Sequence, residues 1–234
     1  MGSRNEDLQR EITRVALEAL EGTAFALAGS GAIREHGVID RQTEDVDLFT
    51  SNTDPGEFRR SLDLVRAGLR DHGYSLLESR VTEQFARLHV RTSTGEQVDV
   101  DLGMDWRDSE PVQLQVGPVL SLDDAIGNKV SALYSRAEAR DFLDVDSIRT
   151  SGHFTDQQLL IAARDRDPGF EPAMFAQQLD RATRLTPDRV AEYGVNETEL
   201  EGIQARFQQW AVRIRRDLHR DQTDTPGQRR GLTY

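Results

Sequence analysis

Residues 25–49 read Phe25-Ala-Leu-Ala-Gly-Ser-Gly-Ala-Ile-Arg34 and, after a short connection, Arg41-Gln-Thr-Glu-Asp-Val-Asp-Leu-Phe49. The first half predicts a short apolar strand that stops at Gly29-Ser30-Gly31 and enters a helix from Ala32. Glycine there lets the backbone approach a ligand closely, and a turn entering a helix N-terminus aims free N–H groups and the positive dipole end at what lies above it, which favours phosphate. In the second half Asp45 and Asp47 flank Val46, so on a strand both carboxylates leave the same face. Two such carboxylates repel unless a cation joins them, and a hard divalent ion with oxygen ligands, Mg2+ or Mn2+, is the expected one. A Gly-Ser turn before a helix is common, and among 41 acidic residues an Asp-x-Asp arises readily by chance. The order strand, Gly-Ser turn, helix, Asp-Val-Asp strand is more informative, because together these parts make a site for a metal-bound nucleoside triphosphate.

At 234 residues the chain can bury one substantial core, or one core and a smaller helical domain. It is 37% hydrophobic and 30% charged, as expected of a soluble globular protein. No apolar run reaches the roughly 20 residues of a membrane helix, and the N-terminus lacks the apolar stretch of a signal peptide, so the expected location is the cytoplasm, without membrane partners. Cysteine is absent, which removes disulfides, thiolate-bound zinc and thiol catalysis. The net charge of −12 argues against a protein that coats nucleic acid over its whole surface but leaves room for a local basic groove. Every basic side chain but one is arginine, and the exception is Lys129.

Outward from the opening stretch, residues 5–21 predict an amphipathic helix with Leu8, Ile12, Val15 and Leu20 on one side. Asp54-Pro55-Gly56 marks the start of another, with Phe58, Leu62, Val65 and Leu69 inward and an end at His72-Gly73. A strand is expected at 74–78. Two alternating runs, Phe85–Arg91 and Gln97–Leu102, flank Ser93-Thr-Gly-Glu and predict a β-hairpin. In the second run Val98, Val100 and Leu102 face one way and Asp99 and Asp101 the other, so a third carboxylate reaches the same ions if this strand lies beside the Asp45/Asp47 strand. Asp99 fits a solvated edge-strand face equally well. A short strand is expected within 111–120, with a turn at Gly117-Pro118. Ser121-Leu-Asp-Asp124 opens a helix in a loose capping-box pattern. Asn128-Lys129 lies off that helix's apolar stripe, and a second helix carries Arg140-Asp-Phe-Leu-Asp144. From Phe154 onward the pattern is helical: about 155–166, 172–185, a turn after Pro187, and a long helix from about 196 to 220 bearing Arg206, Arg213, Arg215, Arg216 and Arg220. Such a run is usually a solvated helix face, but it is also the most basic region on offer to RNA, with Arg34, Arg41 and Arg136 as the other arginines available for a basic path.

Read together, Leu27-Ala-Gly-Ser-Gly-Ala-Ile, Arg41-Gln-Thr-Glu-Asp-Val-Asp-Leu-Phe, Val100-Asp-Leu, Asn128-Lys-Val-Ser-Ala-Leu-Tyr-Ser-Arg136 and Arg140-Asp-Phe-Leu-Asp144 resemble the nucleotidyltransferase-fold toxins of the AbiEii type. Five motifs in the family's order over residues 25–148 are more specific than any one. The resemblance implies an α+β nucleotidyltransferase fold, a mixed sheet flanked by helices, in a catalytic domain of residues 1–150. An all-helical domain of residues 151–222 and a disordered tail of residues 223–234 follow. It implies metal-dependent transfer of a nucleotide from a nucleoside triphosphate, with the 3′ end of tRNA as the acceptor in several relatives, and a cognate antitoxin encoded beside the toxin. Carried over by position, Gly29 and Ser30 hold the triphosphate, Asp45 and Asp47 bind metal, and Asp101 is the third carboxylate, because Val-Asp-Leu matches Val100 to Leu102. Lys129 meets a phosphate, Asp141 with Asp144 completes the site from the second helix, and 103–107 shapes the substrate pocket. Ser30 stands where the family often has a second glycine.

Two alternatives keep other outcomes in view. The same fold can transfer a nucleotide to a small cationic molecule such as an aminoglycoside, or to a protein hydroxyl, and an acidic chain suits a cationic acceptor. A nucleotide-binding partner protein without turnover is the second, and it has no need to retain Asp45, Asp47, Asp101, Lys129 and Asp141 together.

Overall fold

The structure, a computed structural model, describes residues 2–39, 43 and 45–224. Arg41, Gln42 and Glu44 of the motif above, and residues 225–234 of the expected tail, lie outside the described residues. Two compact units are present, one of residues 1–129 with 151–153 and one of 130–150 with 154–234. The periodicity places a boundary near residue 150. The contacts divide the chain after Lys129, inside a helix, and the buried Val130 and Leu133 fall in the second unit.

In chain order the first unit holds α1 (Gly2–Ala19), β1 (Phe25–Leu27), α2 (Gly29–Glu35), β2 (Asp45–Thr50), α3 (Pro55–Asp71), β3 (Ser75–Val81), β4 (Phe85–Arg91), β5 (Gln97–Met104), β6 (Val112–Leu114), β7 (Gly117–Val119) and the start of α4 (Leu122–Ser135). The described strands form one seven-stranded sheet in the order β3-β4-β5-β2-β1-β7-β6. It is mixed: β2 runs parallel to β5 and β1 parallel to β7, and the other neighbours are antiparallel.

The register follows from burial. Leu88 of β4, Val100 of β5 and Val46 of β2 stand side by side, as do Ala86, Leu102 and Leu48, and all are buried. A shift of one residue would turn this apolar row to the polar face, so the pairing is strongly specified. The apolar stripes of α1 (Ile12, Val15, Ala16) and α3 (Phe58, Leu62, Val65, Leu69) are buried as well. The two helices approach closely, since a Cβ on Gly68 would stand 2.8 Å from that of Ala19. Asp54 caps α3 as its Pro-Gly start implies, accepting a hydrogen bond from the Gly56 amide at 2.9 Å.

Three expectations shift. Gly29-Ser30-Gly31 is the first turn of α2 rather than a loop before it, because α2 starts directly where β1 ends and the Ala28 amide donates to the Asp47 carbonyl at 2.8 Å. Gly117 and Pro118 lie within β7, and the reversal falls at Gln115-Val116, since β7 is held on both sides by β1 and β6. The half capping box at α4 has a second use: Ser121 Oγ accepts from the Asp124 amide, while the Asp124 carboxylate accepts from the amides of Asp108 and Ser109 at 2.9 and 3.0 Å.

The second unit comprises the rest of α4, α5 (Ala139–Thr150), α6 (Asp156–Arg166), α7 (Pro172–Asp180), α8 (Pro187–Val190) and α9 (Glu197–Asp224). The helix expected over 172–185 ends at Asp180 and continues as a 3-10 turn, Arg181–Arg184. Its core is aromatic, with Phe142 edge-on to Phe207 at 5.1 Å, Phe175 edge-on to Trp210 at 5.2 Å, and the Arg149 guanidinium 4.3 Å above the Trp210 ring. Thr155 caps α6 with Gln158 in a full capping box.

Asp124 is buried and satisfies two loop amides and one hydroxyl. Asp124→Ala leaves those donors without acceptors and should lower stability by about 1–3 kcal/mol, read as a fall in the denaturant midpoint with an unchanged slope.

Candidate active site

The polar face of the sheet gathers the candidate residues. Where the apolar rows alternate with polar ones, Arg87, Asp101 and Asp47 stand in one row across β4, β5 and β2, and His89, Asp99 and Asp45 in the next. Asp45, Asp47 and Asp101 each bring a carboxylate oxygen within 4.8 Å of the others. The parallel pairing of β2 with β5 produces this cluster, since it sets Asp47 directly opposite Asp101. Asp99 is turned to other partners: its carboxylate lies 2.7 Å from His89 Nδ1 and accepts from Gln97 Nε2 at 3.0 Å. The donor set is all oxygen, anionic and drawn from two rigid strands, which suits a hard divalent ion such as Mg2+ or Mn2+.

Gly29 and Ser30 begin α2 beside these carboxylates. Gly29 has φ of +61°, and a Cβ there would stand 1.8 Å from Asp47 Oδ2, so the absent side chain is the space in which that carboxylate sits. Ser30 is buried. On the same polar face Gly103 lies beneath the rings of Phe49 and Phe85, with Phe49 carbons 3.2 and 3.3 Å from where its Cβ would be.

Arg87 is the residue the sequence patterns passed over. Its Nε donates to Asp101 Oδ1 at 2.6 Å and its Nη2 to Oδ2 at 2.5 Å, a two-pronged grip on a carboxylate that is 5% exposed. The hydrogen bond to Asp101, with the charges of Asp101, Asp45 and Asp99, holds the guanidinium pKa above its ordinary value against the opposing effect of burial. Extending the hairpin register from the Ser93–Glu96 turn would have found it, because that register fixes Arg87 opposite Asp101.

Lys129 is half-buried on α4 in the first unit, next to Asn128, whose amide donates to Asp105 at 3.2 Å. Of the 103–107 segment, Trp106 is exposed, while Arg107 is tied to the Ala24 carbonyl at 2.9 Å. Asp141 and Asp144 belong to the second unit and are fully buried there. Asp141 accepts both prongs of Arg136, at 2.7 and 2.9 Å, and the Glu138 amide at 3.0 Å, so it neutralises an arginine and caps α5. The arginines expected to form a basic path are largely engaged inside their own unit: Arg206 with Asp146, Arg213 with Asp156, Arg215 with Asp180, and Arg34 with Gln9 and Thr43. A wide cleft of about 1160 Å³ in the first unit is lined by Glu11, Arg14, Glu18, Arg107 and Glu110, and the clustered carboxylates take no part in it.

The chain matches the nucleotidyl transferase AbiEii toxin family, type IV toxin–antitoxin system, over residues 13–227. It belongs to that family. The protein is therefore a nucleotidyltransferase toxin of the AbiEii family, which implies a nucleoside triphosphate substrate and an antitoxin partner. Solved structures share the fold. MenT4, a nucleotidyltransferase toxin from Mycobacterium tuberculosis H37Rv, superposes with a TM-score of 0.56 at 18% identity, over 92% of this chain and 90% of its own. JHP933 from Helicobacter pylori gives a TM-score of 0.53 at 18% identity, over 92% of this chain and 94% of its own. No curated protein matches the chain. Among the described residues of this AbiEii-family protein, no helix is long and apolar enough to cross a membrane.

Gly29→Ala places a methyl group where Asp47 Oδ2 now lies and holds alanine at a positive φ, costing about 1–2 kcal/mol of stability. Because it also displaces a carboxylate of the cluster, nucleotide transfer should fall by roughly 10², far more than the modest drop in melting temperature. Asp141→Asn weakens the Arg136 pair in a buried setting and should cost about 2 kcal/mol, seen as earlier thermal unfolding.

Proposed function

We propose that this toxin transfers a nucleoside monophosphate from a nucleoside triphosphate to the 3′ end of an RNA, with tRNA as the acceptor, using Mg2+ or Mn2+ held by Asp45, Asp47 and Asp101. The observation that carries the reading is the convergence of these three carboxylates beside the Gly29-Ser30 start of α2. An RNA acceptor places the protein in the cytoplasm, and the proposed antitoxin is encoded by a neighbouring gene.

The reaction joins an acceptor hydroxyl oxygen to the α-phosphorus and breaks the bond to the bridging oxygen, releasing pyrophosphate. When bound, the divalent ion supplies positive charge to the phosphate oxygens on which negative charge gathers. Asp45, Asp47 and Asp101 fix where that charge sits, and the strands that carry them hold the position without reorganisation. Gly29 keeps the backbone low enough for Asp47 to reach its place, and Ser30 faces the triphosphate. Lys129 lends its charge to a phosphate of the donor. Little side-chain acid–base chemistry is needed, since positioning and electrostatics dominate phosphoryl and nucleotidyl transfer.

A cationic small-molecule acceptor is the second reading. The net charge of −12 and the pairing of so many arginines with carboxylates favour it. Incubation of the purified protein with total tRNA, Mg2+ and each labelled triphosphate in turn separates the two. Label in RNA with one nucleotide is expected. Nucleotide bound without any label in RNA would shift the acceptor to a small molecule or a protein.

In that assay Asp45→Asn and Asp47→Asn should each abolish transfer while the melting temperature stays near wild type, Asp101→Asn should abolish it with about 2 kcal/mol of stability lost from the weakened Arg87 pair, and full activity in any of them would sink its assignment. Lys129→Ala should lower transfer by roughly 10² to 10³, the scale of one lost transition-state contact.

A further inference from the structure

We propose that Arg87 is the resident counter-ion of the carboxylate cluster, clasping Asp101 while no metal is bound and yielding it to the divalent ion, after which the freed guanidinium serves the phosphates of the substrate. This rests on the reading that Asp45, Asp47 and Asp101 hold the metal.

The geometry points to competition rather than simple support. A residue that merely orients a metal ligand commonly bonds one oxygen and leaves the other for the ion. Arg87 takes both oxygens of Asp101, at 2.6 and 2.5 Å, in the fork geometry that guanidinium and carboxylate share. Asp47 lies directly opposite Asp101 on the neighbouring strand, and Asp45 and Asp99 stand opposite each other in the next polar row. Without a cation at this point, three carboxylates with oxygens within 4.8 Å would repel one another. With a divalent ion in place the need for Arg87 reverses, because its own charge then faces that of the metal.

The surroundings give the displaced side chain somewhere to go. The Arg87 side chain is about one-third exposed, whereas Asp101 beside it is buried. It projects from the polar face of the sheet, in one row with Asp101 and Asp47. A guanidinium released there meets a polyanion at the place where the triphosphate binds, and forked donors suit phosphate as well as carboxylate. The side chain thereby offsets the charge of the cluster and favours loading of metal together with nucleotide over metal alone.

The test measures Mn2+ binding by electron paramagnetic resonance in the absence of nucleotide, for the full-length wild type, Arg87→Gln, Arg87→Lys and Asp47→Asn, with thermal melts to confirm folding. Arg87→Gln removes the competing charge and should tighten Mn2+ binding by roughly tenfold, while KM for the triphosphate rises several-fold. Arg87→Lys keeps the charge without the two-pronged grip and should bind Mn2+ within about threefold of wild type, which keeps the comparison open if the glutamine variant folds poorly. Equal or weaker Mn2+ binding in Arg87→Gln, with binding lost in Asp47→Asn, would overturn the counter-ion role and leave the metal site standing. Tighter Mn2+ binding with an unchanged KM would overturn the transfer of Arg87 to the substrate. Mn2+ binding that is undetectable in wild type and Arg87→Gln alike, or that persists unchanged in Asp47→Asn, would overturn the metal site and this inference with it.

Discussion

The structure depends on holding Asp47 and Asp101 side by side, which electrostatics alone opposes. Two unit charges about 4 Å apart at an effective dielectric near 20 repel by roughly 4 kcal/mol. Against this stands the other face of the same two strands, where Val46 lies beside Val100 and Leu48 beside Leu102, all of them buried. Each such side chain contributes about 1.5–3 kcal/mol on burial, and a slip in register would forfeit all four together. The hydrophobic face therefore fixes the geometry of the polar face. Arg87 then removes much of the remaining repulsion by pairing with Asp101.

That coupling explains what could be read from the sequence. Strict alternation in Phe85–Arg91, Gln97–Leu102 and Asp45–Phe49 reports which residues share a face, and so β2, β4 and β5 and the common orientation of Asp99 and Asp101 follow from period alone. Alternation does not say which strands are neighbours. The choice between Asp99 and Asp101 depends on the β2–β5 register, and Arg87 gains its meaning only when β4 is added. Gly117-Pro118 misled for a related reason: residues that favour turns also occur at short strands whose neighbours satisfy their backbone, and here β7 has a partner on each side.

Charge composition was the least transparent guide. The arginines of α9 look from sequence like a basic surface, yet Arg206, Arg213 and Arg215 each meet an aspartate from another helix. The Arg206 pair is the firmest of them, since Asp146 is nearly buried and its hydrogen bond raises the pKa of Arg206. Exposed pairs contribute little to stability, but they spend positive charge that a count of residues would assign to nucleic acid. Net charge thus describes this surface poorly, and the local arrangement around each carboxylate decides what it attracts.

The same logic links the Gly-Ser turn to the carboxylates. The Ala28 amide donates to the Asp47 carbonyl, so the residue that opens α2 and the residue that bears the central carboxylate are joined by one backbone hydrogen bond. Immediately after it, Gly29 takes a positive φ and leaves free the volume occupied by Asp47 Oδ2. A larger residue would separate the two halves of the site, even if each half kept its own secondary structure. The Gly-Ser turn and the Asp-Val-Asp strand are therefore one device, and their adjacency in sequence order reflects contact at the level of single atoms.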